Sequence, residues 1–152
     1  MNAPLPSRLS WWLLLILACV AGCRGPASAH FRYEPAIVEL SGTVSMQEAF
    51  GPPGYGETPA QDRREKYLLL TLDTPICVTG DPASAANAQG ESNVKAVQMV
   101  YGVNHPFQQE WVNRHVSVTG TLSHAVTGHH RTPVLVQVTA TRLTGSDSTK
   151  NK

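Results

Sequence analysis

Between His115 and Leu143 the chain alternates apolar and polar residues in two runs joined by a histidine-bearing loop. In the first run Val116, Val118, Gly120 and Leu122 share a face, with Ser117, Thr119, Thr121 and Ser123 opposite. In the second, Val134, Val136, Val138 and Ala140 face one way and Gln137, Thr139 and Thr141 the other. A period of two marks a strand with one buried side, and β-branched residues suit that pleated surface. Gly128 is the expected turn residue, so the two runs are read as one long hairpin.

The rest of the chain fits the same period. Residues 36–46 alternate with Ala36, Val38, Leu40, Val44 and Met46 inward, and Gly42 among them implies a bulge or a tight bend. Residues 67–73 form a second expected strand, which Thr74 to Val78 extend or bend, Pro75 marking an edge or a change of direction. Residues 94–101 form a third with a less clean pattern, as expected of slipped register or of a strand covered on both faces. Asn104 to Val112 is expected to form a short helix, with Pro106 in its first turn. Phe107 and Trp111, four apart, would stack on one face of it and plug a barrel end. Residues 80–92, rich in small polar side chains, are read as a mobile surface insertion.

Strand, long loop, strand, strand, short helix, long hairpin is the order of a five-stranded OB-like barrel in an all-β class. A parallel sheet would need crossover helices, and the pattern shows none. The expected division is a leader over 1–22, a tether over 23–35, the barrel over 36–143 and a disordered tail over 144–152.

The leader reads as an export signal. Arg8 precedes an apolar run, Trp11 to Ala21, that is short for a bilayer span. Val20-Ala21-Gly22-Cys23 resembles the bacterial lipobox, which would make Cys23 the lipidated first residue of the mature protein. The expected setting is then a bacterial cell envelope, with the domain facing the periplasm, on the outer membrane by resemblance to lipoprotein sorting rules at Arg24. Ala27-Ser28-Ala29 offers a second cleavage reading, releasing a soluble protein. Of three cysteines, Cys19 leaves with the leader and Cys23 is lipidated or lost, so no intrachain disulfide is expected. Cys77 then reads as a small core hydrophobe or, alternatively, a reactive or metal-binding thiol.

A net charge of +1 from 12 basic and 11 acidic side chains builds no field for nucleic acid. No G-x-S-x-G elbow and no G-x-x-x-x-G-K-[ST] cradle is present, and the chain reads as a non-enzyme.

In an OB barrel the loops joining strands 1–2 and 4–5 flank the ligand surface. Here they are Gly51-Pro52-Pro53-Gly54-Tyr55-Gly56 and His124-Ala125-Val126-Thr127-Gly128-His129-His130-Arg131-Thr132. They are expected to approach one rim, with Gly54, Tyr55, Gly56, His129, His130 and Arg131 binding a small molecule, glycan or peptide. The alternative is a zinc or copper site on His124, His129 and His130, which would need a further ligand such as Cys77, Asp73 or Glu57. Otherwise no cofactor is expected.

Gly51-Pro-Pro-Gly-Tyr-Gly56, Leu72-Asp-Thr-Pro-Ile-Cys-Val78, Val116-Ser-Val-Thr-Gly-Thr-Leu122 and Thr127-Gly-His-His-Arg-Thr132 together resemble the bacterial domain-of-unknown-function family 4431. The resemblance spans about residues 40–140. It implies an envelope protein and supplies no activity.

Overall fold

The computed structural model describes residues 28–144. The expectations for the leader, for lipidation at Cys23 and for residues 145–152 lie outside the described residues. Six strands form: β1 (Ala29–Arg32), β2 (Ile37–Phe50), β3 (Arg64–Thr79), β4 (Glu91–Tyr101), β5 (His115–His124) and β6 (Val134–Leu143). They lie in the order β1-β3-β2-β5-β6-β4, and an additional β3–β4 pairing closes β2 to β6 into a five-stranded barrel. β4 and β6 run parallel; the other four barrel neighbours are antiparallel. This is the expected OB-type barrel, carrying one extra strand.

The extra strand corrects the tether. Ala29–Arg32 pairs parallel with Ile76–Thr79, and Tyr33 enters the core cluster at 3% exposure. The tail expectation also yields at Thr144, whose N–H donates to His115 O at 3.1 Å.

Alternation built the barrel as expected. Val38, Leu40, Val44, Leu70, Leu72, Val97, Met99, Val116, Val118, Leu122, Val134, Val136 and Val138 are all buried in one cluster. Gly42 sits where β2 is paired on both sides, with Leu72 and with Val116, and its register runs through unshifted. It is therefore a close-approach site and not a bulge, since a Cβ there would run into the Thr71 carbonyl oxygen. β3 pairs with β2 only as far as Leu72 and takes β1 from Ile76 onward. Pro75, which has no N–H to give, stands at this change of partner.

Three local readings are corrected. The helix shrinks to a single 3-10 turn, Gln109–Trp111, with no side-chain cap. Its aromatic role stands: Trp111 is in the core and meets Phe107 edge-on at 5.9 Å. Residues 80–92 pack against the barrel, because Asn87 is 3% exposed and its Oδ1 accepts the His124 N–H at 2.9 Å. Cys77 is buried as expected but disulfide-bonded, against the expectation of none. No second cysteine occurs among the described residues.

Candidate functional site

Residues 51–63 leave β2 and return to β3 with their ends tied. Gly51 N–H donates to Arg63 O at 2.7 Å and Arg63 N–H to Pro52 O at 3.2 Å, extending the Phe50–Arg64 ladder. Asp62 organises the tip: its Oδ1 accepts Gly54 N–H at 2.6 Å and its Oδ2 accepts Gly56 N–H at 2.7 Å. Lost hydration opposes ionisation of Asp62, yet the Gly56, Gly54 and Thr58 hydrogen bonds outweigh it and hold the carboxyl below its usual range. Gly54 and Gly56, expected to meet a ligand, therefore have their N–H groups occupied. Gly56 has φ +107°, which suits glycine, and Tyr55 has φ +51°, a left-handed conformation costing roughly 1–2 kcal/mol for an L residue. That backbone sends the Tyr55 ring out of its own loop toward residues 125–133.

The second loop is shaped by His130. Its Nδ1 accepts N–H bonds from Val126 at 2.9 Å and Thr127 at 3.4 Å, so that nitrogen carries no proton. Burial and, behind it, the neighbouring His129 push the His130 titration below its ordinary value, which favours this neutral acceptor form. His130 is thus a turn-forming residue. Gly128 lies in the expected turn, closed by the His130 N–H donating to Thr127 O at 3.1 Å, and it also makes room. A Cβ there would lie 3.1 Å from the Tyr55 ring, which packs over it.

The two loops meet. Tyr55 Oη and His129 Nε2 are 3.1 Å apart, with the rings edge-on at 5.4 Å. His129 Nδ1 lies 2.9 Å from Glu65 Oε2. A carboxylate accepts, so Nδ1 carries the proton and Nε2 offers its lone pair to the Tyr55 hydroxyl. Arg131 donates from Nη2 to Phe50 O at 2.6 Å, stands 3.5 Å from Glu65 Oε2, and places its guanidinium over the Tyr55 ring at 5.7 Å. Tyr55, His129 and Arg131 therefore form one assembly, as expected.

Its location differs from a simple rim. β2 and β5 are antiparallel, so the loop after β2 and the loop after β5 leave opposite ends of the barrel. They meet over the outer wall of β3 and β4. Val97 and Met99 face inward, whereas Gln98, paired with Leu69 and Leu135, faces outward and is still only 9% exposed. Its carboxamide donates to His129 O at 3.3 Å and accepts Arg131 N–H at 2.6 Å. Gln98 and Glu65 are the two site residues that pattern reading missed. The signal for Gln98 was the irregular third strand, a polar side chain between inward neighbours in a strand covered on both faces.

His124 stands apart. Its Nε2 is 3.0 Å from Glu91 Oε1, its Nδ1 is 3.0 Å from Ala125 O, and its ring meets Tyr33 edge-on at 6.2 Å. The three histidines expected to share a metal thus face three different partners. Among the described residues no group of three His, Cys, Asp or Glu side chains is placed to hold a metal ion.

No curated protein and no solved structure matches the chain. A family model matches residues 97–142. That span contains the Val116–Leu122 and Thr127–Thr132 motifs, together with Gln98, His129 and Arg131, and leaves the Gly51–Gly56 and Leu72–Val78 motifs outside. From late β4 through β6, including the loop that fastens onto Tyr55, this chain is similar to the Domain of unknown function DUF4431.

Proposed function

We propose that this protein is a non-enzymatic binding module of the bacterial cell envelope, exported by its N-terminal leader, that takes an envelope glycan or peptide on the paired loops 51–59 and 124–132. The observation carrying this reading is the Tyr55–His129 contact. Two loops from opposite barrel ends are held together by side chains that remain half in water, Tyr55 at 40% exposure. Such a strap presents an aromatic face, an imidazole and a guanidinium on a rigid wall, a few placed polar groups beside apolar surface as binding sites require. Opposite charges at the strap, Arg63, Arg64 and Arg131 against Glu57, Asp62 and Glu65, favour a ligand of low net charge.

The test is a two-dimensional amide NMR titration of the mature protein with soluble muropeptides, which carry both glycan and peptide. Shifts centred on Tyr55, Gly128 and His129, lost in Tyr55→Ala, support the reading; shifts elsewhere or none overturn it. Zinc and copper belong in the same titration, because they are the competing ligands. To bind either through Nε2, His129 would have to surrender Tyr55, while its Nδ1–H could stay on Glu65.

Anchoring through a lipid on Cys23 is a separate part of the proposal. Its thioether and a disulfide to Cys77 exclude each other, since both consume the Cys23 sulfur. Intact mass of the mature chain before and after reduction decides. A lipid-sized addition at Cys23 supports the anchor, whereas a reducible Cys23–Cys77 bond sinks it and leaves an exported protein without one.

A further inference from the structure

We infer that Tyr55 is an acyl-accepting nucleophile, a covalent modification site for activated esters. The argument is the order of groups behind its hydroxyl. Tyr55 Oη faces His129 Nε2 at 3.1 Å, and His129 Nδ1 faces Glu65 Oε2 at 2.9 Å. This is a hydroxyl, an imidazole and an orienting carboxylate in sequence, the arrangement that generalises serine-type activation to any side-chain hydroxyl. Glu65 fixes the tautomer that leaves Nε2 free to take a proton. Arg131 adds a cation over the phenol ring, where charge from the oxygen spreads. Arg131 also holds Phe50 O and approaches Glu65, so its position is set without the ligand.

The other described tyrosines lack this array. Among the described residues Tyr33 Oη is buried without a partner, Tyr101 Oη faces Thr141 Oγ1, and Tyr67 has no imidazole bonded to it. They serve as internal controls.

The step balances without a co-reactant. The Tyr55 O–H proton passes to His129 Nε2 as the phenolic oxygen attacks the acyl carbon of an aryl ester. The tetrahedral adduct collapses with cleavage of the bond to the aryl oxygen, and the aryl oxide leaves with the proton from Nε2. The products are O-acyl Tyr55 and a phenol, one acyl group per chain. Turnover is not part of the inference, because Tyr55 and His129 stand half in water.

The experiment treats the mature protein with 4-nitrophenyl acetate and maps acetylation by peptide mass spectrometry. Tyr55 should acetylate at least about a hundredfold faster than Tyr67 and Tyr101, the low side of what a positioned general base contributes. His129→Gln and Glu65→Gln should bring Tyr55 down to the control tyrosines, with melting curves showing that each variant stays folded. Tyr55→Phe should remove the fast release of nitrophenol. Equal labelling of the three tyrosines, or fast labelling of Tyr55 that survives His129→Gln, overturns the inference. Fast nitrophenol release that survives Tyr55→Phe also overturns it, by making His129 the nucleophile.

Discussion

Of the three histidine–carboxylate pairs among the described residues, two flank the loop from His124 to Thr132, and these two differ in depth. At the strap, His129 and Glu65 have side chains 53% and 32% exposed; at the opposite end, His124 and Glu91 are 19% and 27% exposed. Around His124 the neighbours are a buried Asn87 and the edge-on ring of the buried Tyr33. Around His129 they are a half-exposed tyrosine and an arginine. Exposed ion pairs contribute little to stability, about 0–1 kcal/mol, whereas buried polar groups are costly to leave unpaired. The comparison assigns stability to the His124 end and availability for ligand or reagent to the His129 end.

The largest expected loss comes from the His124 end. Asn87→Ala removes the acceptor of the His124 N–H, and with it the contact that seats residues 80–92. The expected cost is about 1–3 kcal/mol, read as a lower urea midpoint with unchanged slope. A change under roughly 0.5 kcal/mol, the scale of an ordinary surface substitution, would break the contrast between the ends.

Gln98→Ala tests the other side. It strips partners from His129 O and Arg131 N–H, but at a place water reaches once the loop loosens, so the expected cost is smaller, about 1 kcal/mol. Hydrogen exchange should quicken at the Arg131 amide while β5 core amides keep their protection. If the core amides quicken equally, the strap is part of the global fold and not a local attachment.

How far these residues were legible follows from where their determinants lie. Four of the five barrel strands were readable from a period of two, and the fifth, β4, was readable despite its irregular pattern. Their closure followed from loop lengths and from the absence of crossover helices. β1 was not readable: Ala29-His30-Phe31-Arg32 has no alternation to speak of and becomes a strand through pairing with β3. Asn87 sits in a segment whose composition resembles disorder, and only its fit under the end of β5 orders it. The Tyr55–His129 pairing was readable as two unusual loops on one fold. Its partners Glu65 and Gln98 were not, since a carboxylate before a strand and a glutamine inside one have many ordinary uses. Gly128 was legible as a turn residue, but not the space it leaves for an aromatic ring 73 residues away in sequence.

A third prediction concerns pH at the strap. His130 titrates below its ordinary 6.5 when folded, so the unfolded chain binds the proton first as pH falls. Stability from this group is present above about pH 6.5 and is lost as pH drops from there through the folded value. Protonated Nδ1 cannot accept from Val126 and Thr127, so the turn should open first. Amide shifts of Val126 and Thr127 should move below pH 6.5 ahead of any core resonance, and His130→Gln should abolish that movement. Simultaneous movement of the core would show that the strap does not respond alone.

The smallest effect at neutral pH is expected where the structure leaves a polar group unserved. Tyr33 Oη is buried with no hydrogen-bond partner among the described residues, so Tyr33→Phe should leave the urea midpoint unchanged or slightly higher. The variant should differ only in alkali. Burial, with Glu91 adding to it, raises the Tyr33 hydroxyl from 10.0 to about 12. The neutral phenol is then favoured in the folded state, a contribution fully present below pH 10 and lost as pH rises from 10 toward 12. Tyr33→Phe should therefore flatten the alkaline fall of stability relative to the wild type. A clear loss of stability in Tyr33→Phe at neutral pH would mean that the hydroxyl has a partner, such as a buried water bridging to Glu91. The His124 end would then be a fully satisfied network, and its contrast with the strap would rest on burial alone.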